Sequence, residues 1–172
     1  QPCDYFHAQV DLEHAKISSI LEDRDGNIWL GLFQKGVFMQ PHQDSGFSYV
    51  GYKSGRYDII GSACVMSVYA GKDCTLWVGT DNDGLYALDM KSYAVSHYSS
   101  DTGGLPATIT SIVEDKDGKL WLGSYLGGAG WLDRQTGQFN RLPFTCRGMA
   151  VHVFRLLADA EDNLWIATLG DG

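Results

Sequence analysis

The sequence predicts an all-β chain made of repeated four-stranded antiparallel units. Three observations predict this fold class: one motif occurs four times, each copy holds a single tryptophan at a fixed place, and each copy has the pattern strand, turn, strand. The four copies span Ile109–Gly128, Ile17–Gly36, Val65–Gly84 and Val153–Gly172. A fixed internal period of this kind is typical of repeat architectures.

The spacing within the motif is constant. In every copy the tryptophan precedes the final glycine by seven residues and follows the first apolar residue by twelve. The tryptophans, Trp29, Trp77, Trp121 and Trp165, lie 48, 44 and 44 residues apart. Four short strands and one tryptophan in each unit of roughly 45 residues are typical of a β-propeller blade. We therefore expect these rings to pack between neighbouring blades rather than to hold a ligand.

The third copy shows how one blade is built. Residues Ile109–Glu114 carry apolar side chains on both alternating sets, as a strand covered on both faces does. The turn Asp115-Lys116-Asp117-Gly118 follows, in which aspartate is expected to accept hydrogen bonds from nearby backbone N–H groups and Gly118 to take a positive φ. The returning strand covers 120–123, a third runs from 128 to 132, and a fourth covers 138–142. The structural glycines at the turn and at the start of the third strand are Gly26, Gly118, Gly36, Gly84 and Gly128.

The period divides the chain into blades. Residues 1–16 are predicted to be the last strand and connection of a preceding blade, 17–64 blade 1, 65–108 blade 2, 109–152 blade 3, and 153–172 the first two strands of a truncated blade 4. About three complete blades plus partial ones are fewer than the roughly four to eight of a closed propeller. We therefore expect a segment of a larger propeller, with its open ends covered either by residues 5–9 pairing with blade 4 or by self-association.

Composition and charge exclude several kinds of partner. The net charge is −8 at pH 7, and the lysines and arginines form no cluster, which argues against nucleic acid or an anionic membrane. No apolar run approaches the roughly 18 residues of a membrane span, so direct membrane contact is not expected. The cysteines and histidines lack metal-ligand spacing, and we expect no metal and no cofactor. Buried free thiols are expected at Cys3, Cys64, Cys74 and Cys146.

The acidic turns resemble two known kinds of loop without matching either. Asp23 with Asp25, and Asp115 with Asp117, fit only the beginning of a calcium-binding loop and lack its remaining acidic positions. The turns also resemble the Asp-box hairpins of sialidase-type propellers, but aspartate and glycine are adjacent here and no flanking Ser or Thr is present. We therefore assign no catalytic residue, and we expect this end of the blades to be structural.

The opposite end of each blade carries loops that differ between copies, and varied loops on a repeated scaffold are where recognition usually occurs. Aromatic rings there could stack on a sugar, and polar side chains could bind its hydroxyl groups. For each residue the alternative is an ordinary solvated loop position or, for the fifth tryptophan, local packing. The candidate ligand-binding residues are Arg56, Tyr57, Asn82, Tyr125, Trp131 and Arg147.

The motif over Ile17–Gly36 and Ile109–Gly128 resembles the two-component regulator propeller repeat, and Asp133–Phe139 resembles the third-to-fourth strand turn of that family. The resemblance implies the extracytoplasmic, periplasmic sensor region of a hybrid two-component histidine kinase of Bacteroides-like bacteria. It implies a propeller that senses oligosaccharides released from glycans and controls polysaccharide-utilisation genes. The kinase would lie outside this chain.

Three hypotheses for function follow. The first is a non-enzymatic sensor segment that binds an oligosaccharide or another small molecule and biases a dimer of its parent between arrangements. The second is part of a propeller enzyme, a lyase or hydrolase, that acts on glycans. The third is a protein-interaction scaffold. Saturable binding without turnover would favour the first, turnover the second, and neither the third.

Overall fold

The computed structural model of the chain describes residues 15–40, 42, 48–50, 60–61, 63–146 and 148–170. Among these residues the structure has one short helix, α1 (Ser100–Gly103). The strands are β1 (Ile17–Glu22), β2 (Ile28–Leu32), β3 (Gly36–Gln40), β4 (Ser48–Val50), β5 (Cys64–Ala70), β6 (Thr75–Asp81), β7 (Leu85–Asp89), β8 (Val95–Tyr98), β9 (Ile109–Glu114), β10 (Leu120–Ser124), β11 (Gly128–Leu132), β12 (Phe139–Arg141), β13 (Thr145–Cys146), β14 (Met149–Ala150), β15 (Val153–Ala158) and β16 (Leu164–Thr168).

Within these residues the strands form antiparallel sheets that follow one another along the chain. Blade 1 has the order β1-β2-β3-β4, blade 2 the order β5-β6-β7-β8 and blade 3 the order β9-β10-β11-β12. Strands β15 and β16 pair as blade 4, and β13 and β14 form a small hairpin before it. The prediction of an all-β chain of four-stranded propeller blades is confirmed.

The first strands of successive blades lie side by side, and hydroxyl groups link them. The Ser18 hydroxyl donates to the carbonyl of Val65 over 2.8 Å. The same kind of bond joins Ser67 to the Ile109 carbonyl at 3.1 Å. A third joins Thr110 to the carbonyl of Val153, in blade 4, at 2.7 Å. Each first strand is therefore tied to the next by a side chain that reaches a backbone acceptor.

The hydrophobic core is divided among the spaces between blades. Trp29 packs with residues of blade 2 such as Val65 and Leu76, and Trp77 packs with residues of blade 3 such as Ile109. These two rings are only 1% and 2% exposed. Trp165 of blade 4 is 62% exposed, since no described strand covers that face of its sheet.

Two sequence expectations about small residues are modified by the structure. Cys64 is a buried free thiol as expected, but Cys74 is exposed because it occupies the hairpin turn between β5 and β6. Cys74 has φ 63°, so this residue takes the left-handed conformation that Gly26 and Gly118 adopt in the turns of blades 1 and 3. Strand β7 begins at Leu85, one residue after Gly84.

Candidate functional site

The antiparallel order gives each blade two distinct ends. The turns that join the first strand to the second, and the third to the fourth, lie at one end, which we call the hairpin end. The turns that join the second strand to the third, and the connections between blades, lie at the opposite end, which we call the loop end.

At the hairpin end a recurring aspartate organises the turn. In blade 1, Asp23 Oδ1 accepts the backbone N–H groups of Asp25 and Asn27, and its Oδ2 accepts the indole N–H of Trp29 at 2.7 Å. Burial raises the pKa of Asp23, but the hydrogen bonds from Trp29, Asn27 and the backbone outweigh it and lower the pKa overall. This carboxylate is committed to the turn and to the ring that packs between blades.

The same arrangement recurs in two further blades. Asp115 accepts the indole N–H of Trp121 at 2.9 Å, and Asp159 accepts that of Trp165 at 2.8 Å. The hydrogen bonds from Trp165 and Asn163 lower the pKa of Asp159 to about 2. The sequence predicted that the aspartate would bind backbone N–H groups; its bond to the tryptophan six residues later was missed.

Blade 2 departs from this pattern because Gly71 stands where the others have aspartate. The indole nitrogen of Trp77 is buried and has no hydrogen-bond partner among the described residues. In place of a carboxylate beside the indole, the guanidinium of Arg134 lies over the ring, 5.1 Å from its centre. Its nitrogens pair with Asp73 at 2.9 Å and with Glu114 at 3.3 Å.

At the loop end of blade 2, three side chains form a compact polar cluster. The Tyr86 hydroxyl donates to Asp83 Oδ2 at 2.6 Å and accepts the backbone N–H of Gly61 at 3.3 Å. The His97 ring stacks on Tyr86 with a centroid separation of 4.2 Å, and its Nε2 lies 2.7 Å from the Asp83 carbonyl oxygen. Burial, together with the hydrogen bond to Asp83, raises the pKa of Tyr86 to about 12, so its hydroxyl stays protonated at neutral pH.

A second aromatic pair lies at the loop end where blades 3 and 4 meet. The Tyr125 ring stacks on His152 with a centroid separation of 4.9 Å, and His152 Nδ1 contacts the Tyr125 carbonyl oxygen. Tyr125 is 44% exposed, and the neighbouring Leu126 is exposed as well. The histidine therefore fixes one face of a tyrosine ring that remains open to solvent.

The structure brings only some of the sequence-predicted ligand residues to the loop end. Asn82 and Tyr125 both lie there; Asn82 is exposed, and its backbone N–H donates to the Thr108 hydroxyl. Trp131 lies towards the hairpin end of its sheet, opposite Trp121, with Lys119 Nζ 4.8 Å from its ring centre. The other three candidates, Arg56, Tyr57 and Arg147, lie outside the described residues.

The sequence pattern did not single out Tyr86, His97 or His152. Histidines scattered through the chain carry no spacing signal, and these three residues become neighbours of loop residues only through strand pairing. The sequence also predicted that the hairpin end is structural. A cavity of about 290 Å³ opens there between blades 1 and 2.

Two kinds of feature are absent from the part of the chain that the structure describes: a metal-binding cluster and a membrane-spanning helix. No group of three or more His, Cys, Asp or Glu side chains in these ranges is placed to hold a metal ion. Among the same residues, no helix has the length and hydropathy that crossing a bilayer requires.

Comparison with known proteins supports the resemblance seen in the repeats. The sequence model of the two component regulator propeller family matches residues 11–34 and 103–126, which include parts of the first and third motif copies. The resemblance to this family is confirmed for these two segments. No curated protein sequence matches the chain.

Solved structures share the fold. The extracellular domain of a B. thetaiotaomicron protein described as the hybrid two component system BT3049 superposes with a TM-score of 0.74 at 22% identity, over 89% of this chain and 20% of that one. The extracellular domain of BT4673 from the same organism, described as a one component system, superposes with a TM-score of 0.54 at 22% identity, over 94% of this chain and 26% of that one. A catalytically inactive virginiamycin B lyase from Staphylococcus aureus with quinupristin superposes with a TM-score of 0.69 at 13% identity, over 92% of this chain and 50% of that one. At these identities the likeness shows the fold alone, and the chain spans from a fifth to half of each structure.

Proposed function

We propose that the chain is a ligand-sensing propeller segment from the periplasmic region of a hybrid two-component sensor. The observation that carries this proposal is the match of the two component regulator propeller family to two of the motif copies. The likeness in fold to the extracellular domain of BT3049 supports it. The kinase activity belongs to the parent protein and lies outside this segment.

The loop end supports a binding role without chemistry in this segment. The exposed Tyr125 ring, held from behind by His152, offers an apolar face of the size of a sugar ring. Polar groups stand at the same end of blade 2, where Asn82 is exposed and Asp83 is half-buried. A small number of polar groups placed around an aromatic surface is a suitable site for a small ligand rich in hydroxyl groups. The ligand class that we propose is therefore an oligosaccharide derived from a glycan, sensed to control polysaccharide-utilisation genes.

The signal would pass by a shift in population. A ligand can move a two-state equilibrium only by as much as its affinities for the two states differ. We propose that binding at the loop end favours one arrangement of a dimer of the parent protein over the other.

Calorimetric titration against a panel of plant, host and microbial oligosaccharides tests the proposal, with product analysis of each mixture. Saturable binding of one oligosaccharide without any product is the expected result. Turnover of a glycan would instead indicate an enzyme, and the absence of both binding and turnover across the panel would indicate a scaffold.

Tyr125→Ala should weaken binding of the oligosaccharide found in that titration by about tenfold or more, because it removes the stacking surface. Lys119→Ala, at the hairpin end of the same blade, is the control and should bind like the unaltered chain. Equal affinity in the two variants would place the ligand away from Tyr125.

A further inference from the structure

The hairpin end carries a cavity between blades 1 and 2 that the proposed function does not use. Its volume is about 290 Å³, close to the lower limit of small-molecule pockets. We call it the hairpin groove. Asp25 and Trp29 of blade 1 line one side of it, and Ala70 and Met90 of blade 2 line the other.

The equivalent place between blades 2 and 3 is filled by an arginine. The Arg134 guanidinium stacks over Trp77 and pairs with the carboxylates of Asp73 and Glu114. The Glu114 side chain is only 4% exposed, whereas that of Asp73 is 51% exposed, so Glu114 is the buried partner and Asp73 the solvent-facing one. The space between blades 2 and 3 therefore binds a guanidinium, which contacts an indole ring and two carboxylates.

The hairpin groove keeps the indole ring and one carboxylate of that arrangement and lacks the arginine and the second carboxylate. Counting along the repeat, Trp29 corresponds to Trp77 and Asp25 to Asp73, each 48 residues apart. Met90 stands at the position of Arg134 and Ala70 at that of Glu114, each 44 residues apart.

All four corresponding residues line the cavity. A methionine and an alanine in place of an arginine and a glutamate leave this groove without the ion pair present between blades 2 and 3. They also leave the Asp25 carboxylate with no hydrogen-bond or ion-pair partner among the described residues, where Asp73 has the Arg134 guanidinium.

We propose that the hairpin groove binds a ligand that bears a guanidinium group, which would take the place that Arg134 occupies one blade further on. Asp23 also lines the groove, but its oxygens already accept hydrogen bonds from the turn backbone, Asn27 and Trp29, so Asp25 is the carboxylate that the ligand would meet. The Met39 and Met90 side chains can adjust their shape around such a group. The net charge of −8 also favours the approach of a cation.

Two cationic side chains also line the groove, and neither occupies it as Arg134 does. The Lys72 ammonium donates to the carbonyls of Asp115 and Lys116 in blade 3, at 2.7 and 3.3 Å, which directs its charge towards the next blade. Arg24 is exposed at the rim, with no ion pair to a described residue.

Titration of the whole chain with N-acetyl-arginine amide tests the proposal, and N-acetyl-citrulline amide is the neutral ligand of nearly the same shape. Saturable binding of the arginine compound, with the citrulline compound about tenfold weaker or more, is the expected result, since a hydrogen bond to a charged group is lost. A pentapeptide with an internal arginine distinguishes the source of the group. Tighter binding of the peptide would support a peptide ligand, and tighter binding of the amide would support a free amine or amino acid.

Variants locate the binding in the groove. Asp25→Asn should weaken it by about tenfold, since the charged partner is lost. Met90→Arg should abolish it, because the new side chain fills the groove as Arg134 fills its own. Asp117→Asn, at the corresponding position of blade 3, is the matched control and should bind like the unaltered chain.

A circular dichroism spectrum and a melting curve for each variant show that the fold is kept. Equal affinity for the arginine and citrulline compounds would overturn the proposal, and so would unchanged binding in Asp25→Asn. Should Met90→Arg fail to fold, the binding measured for Asp25→Asn still tests the proposal.

Arg24→Ala removes a like charge from the rim and should tighten binding of the arginine compound. A loss of binding in this variant would show that the contact is made by Arg24 and would also overturn the proposal.

The groove lies at the opposite end of the blades from Tyr125, so the inference goes beyond the proposed oligosaccharide sensing. Loss of guanidinium binding in Asp25→Asn should leave oligosaccharide binding intact, and Tyr125→Ala should leave guanidinium binding intact.

Discussion

At the residue scale, one hydrogen bond explains why aspartate and tryptophan recur six residues apart. The carboxylate holds the hairpin backbone with one oxygen and the indole N–H with the other, as Asp115 does for Lys119 and Trp121. A ring that packs between blades would otherwise bury an unpaired N–H, which is the state of Trp77. The aspartate is thus a structural residue of the repeat.

This bond predicts an acid-sensitive contribution to stability. Burial raises the pKa of Asp115, but the hydrogen bonds from Trp121, Lys119 and Asp117 lower it overall, and the pKa of Asp159 falls from 3.8 to about 2. A lowered pKa in the folded state stabilises the fold above the unfolded pKa, and the contribution is lost as the pH falls through the folded value.

We therefore expect the melting midpoint to fall as the pH drops from about 4 towards 2. The midpoint of Asp115→Asn should lie below that of the unaltered chain at pH 7, and the difference should shrink across that window. A constant difference at every pH would show that the ionised carboxylate contributes nothing. The matched control is Asp117→Asn, which lies in the same turn without a bond to the ring.

The glycine two residues after the tryptophan also has a packing reason. A Cβ built on Gly79 would lie 2.7 Å from the Ile109 carbonyl oxygen and 2.3 Å from Ser67 Oγ. On Gly123 it would lie 2.6 Å from a methyl carbon of Val153, in the next blade. Glycine is needed where the next first strand approaches, and Ala167 fits in blade 4 because its position is exposed.

Gly79→Ala should therefore lower the free energy of unfolding by about 1–3 kcal/mol, as overpacking of a tight contact does. Ala167→Gly is the matched control and should change it by less than about 1 kcal/mol. Urea unfolding of both variants measures the difference. A Gly79→Ala variant as stable as the unaltered chain would contradict the close approach of blades 2 and 3.

At the element scale, the first strands share a bulge that prepares them for the next blade. The register of β1 shifts between Ile17 and Ser19, and that of β5 between Val65 and Ser67. Strand β15 shifts at the corresponding place, between Val153 and Arg155. A bulge leaves a residue out of the ladder. The carbonyls beside these shifts, those of Val65 and Val153, accept hydroxyl groups from the preceding blade.

Thr110→Val tests this link because valine keeps the shape of threonine and removes the hydroxyl. The change should cost about 1–3 kcal/mol, the penalty of leaving the buried Val153 carbonyl without its donor. Thr145→Val is the control at an exposed position. It should change the free energy of unfolding by no more than about a few tenths of the effect of Thr110→Val. Chemical unfolding of both variants gives the comparison, and equal midpoints would show that the hydroxyl does not hold the blades together.

At the scale of the whole molecule, the described residues leave two apolar sheet faces uncovered. Ile20 is exposed on blade 1, whereas Val68, Ile112 and Leu156 at the corresponding positions pack against the preceding blade. Trp165 is exposed on blade 4, although Trp121 at its position packs against the following blade. Between neighbouring blades a face like that of Trp165 packs on a face like that of Ile20, so the two uncovered faces are complementary.

We therefore expect the isolated chain to self-associate head to tail, with the blade 4 face of one copy on the blade 1 face of another. The sedimentation-derived mass should rise with concentration. Trp165→Glu alone and Ile20→Glu alone should each be monomeric, while their mixture should form dimers through the one intact interface. Association of either variant by itself would contradict this geometry.

The blade pattern could be predicted from the sequence because the motif is local and repeated. The hairpin turn, the returning strand and the tryptophan lie within about twenty residues, and four copies average out departures such as Gly71. The candidate ligand residues were less predictable. Trp131 follows the loop that holds Tyr125, yet antiparallel pairing carries it to the other end of the blade.

The sequence by itself determined the repeat, the blade class, the position of the hairpin turns and the resemblance to a regulator propeller, since each depends on residues close together in the chain. Only the tertiary structure decided which side chains meet: the hydroxyl links between blades, the Tyr86–His97 cluster within blade 2, and the arginine that fills the space between blades 2 and 3, where the equivalent groove between blades 1 and 2 has none. The contacts between blades join residues more than 40 positions apart, 42 to 47 for the hydroxyl links and 61 for Arg134 with Asp73. Their geometry is set by how one sheet packs on the next rather than by local spacing.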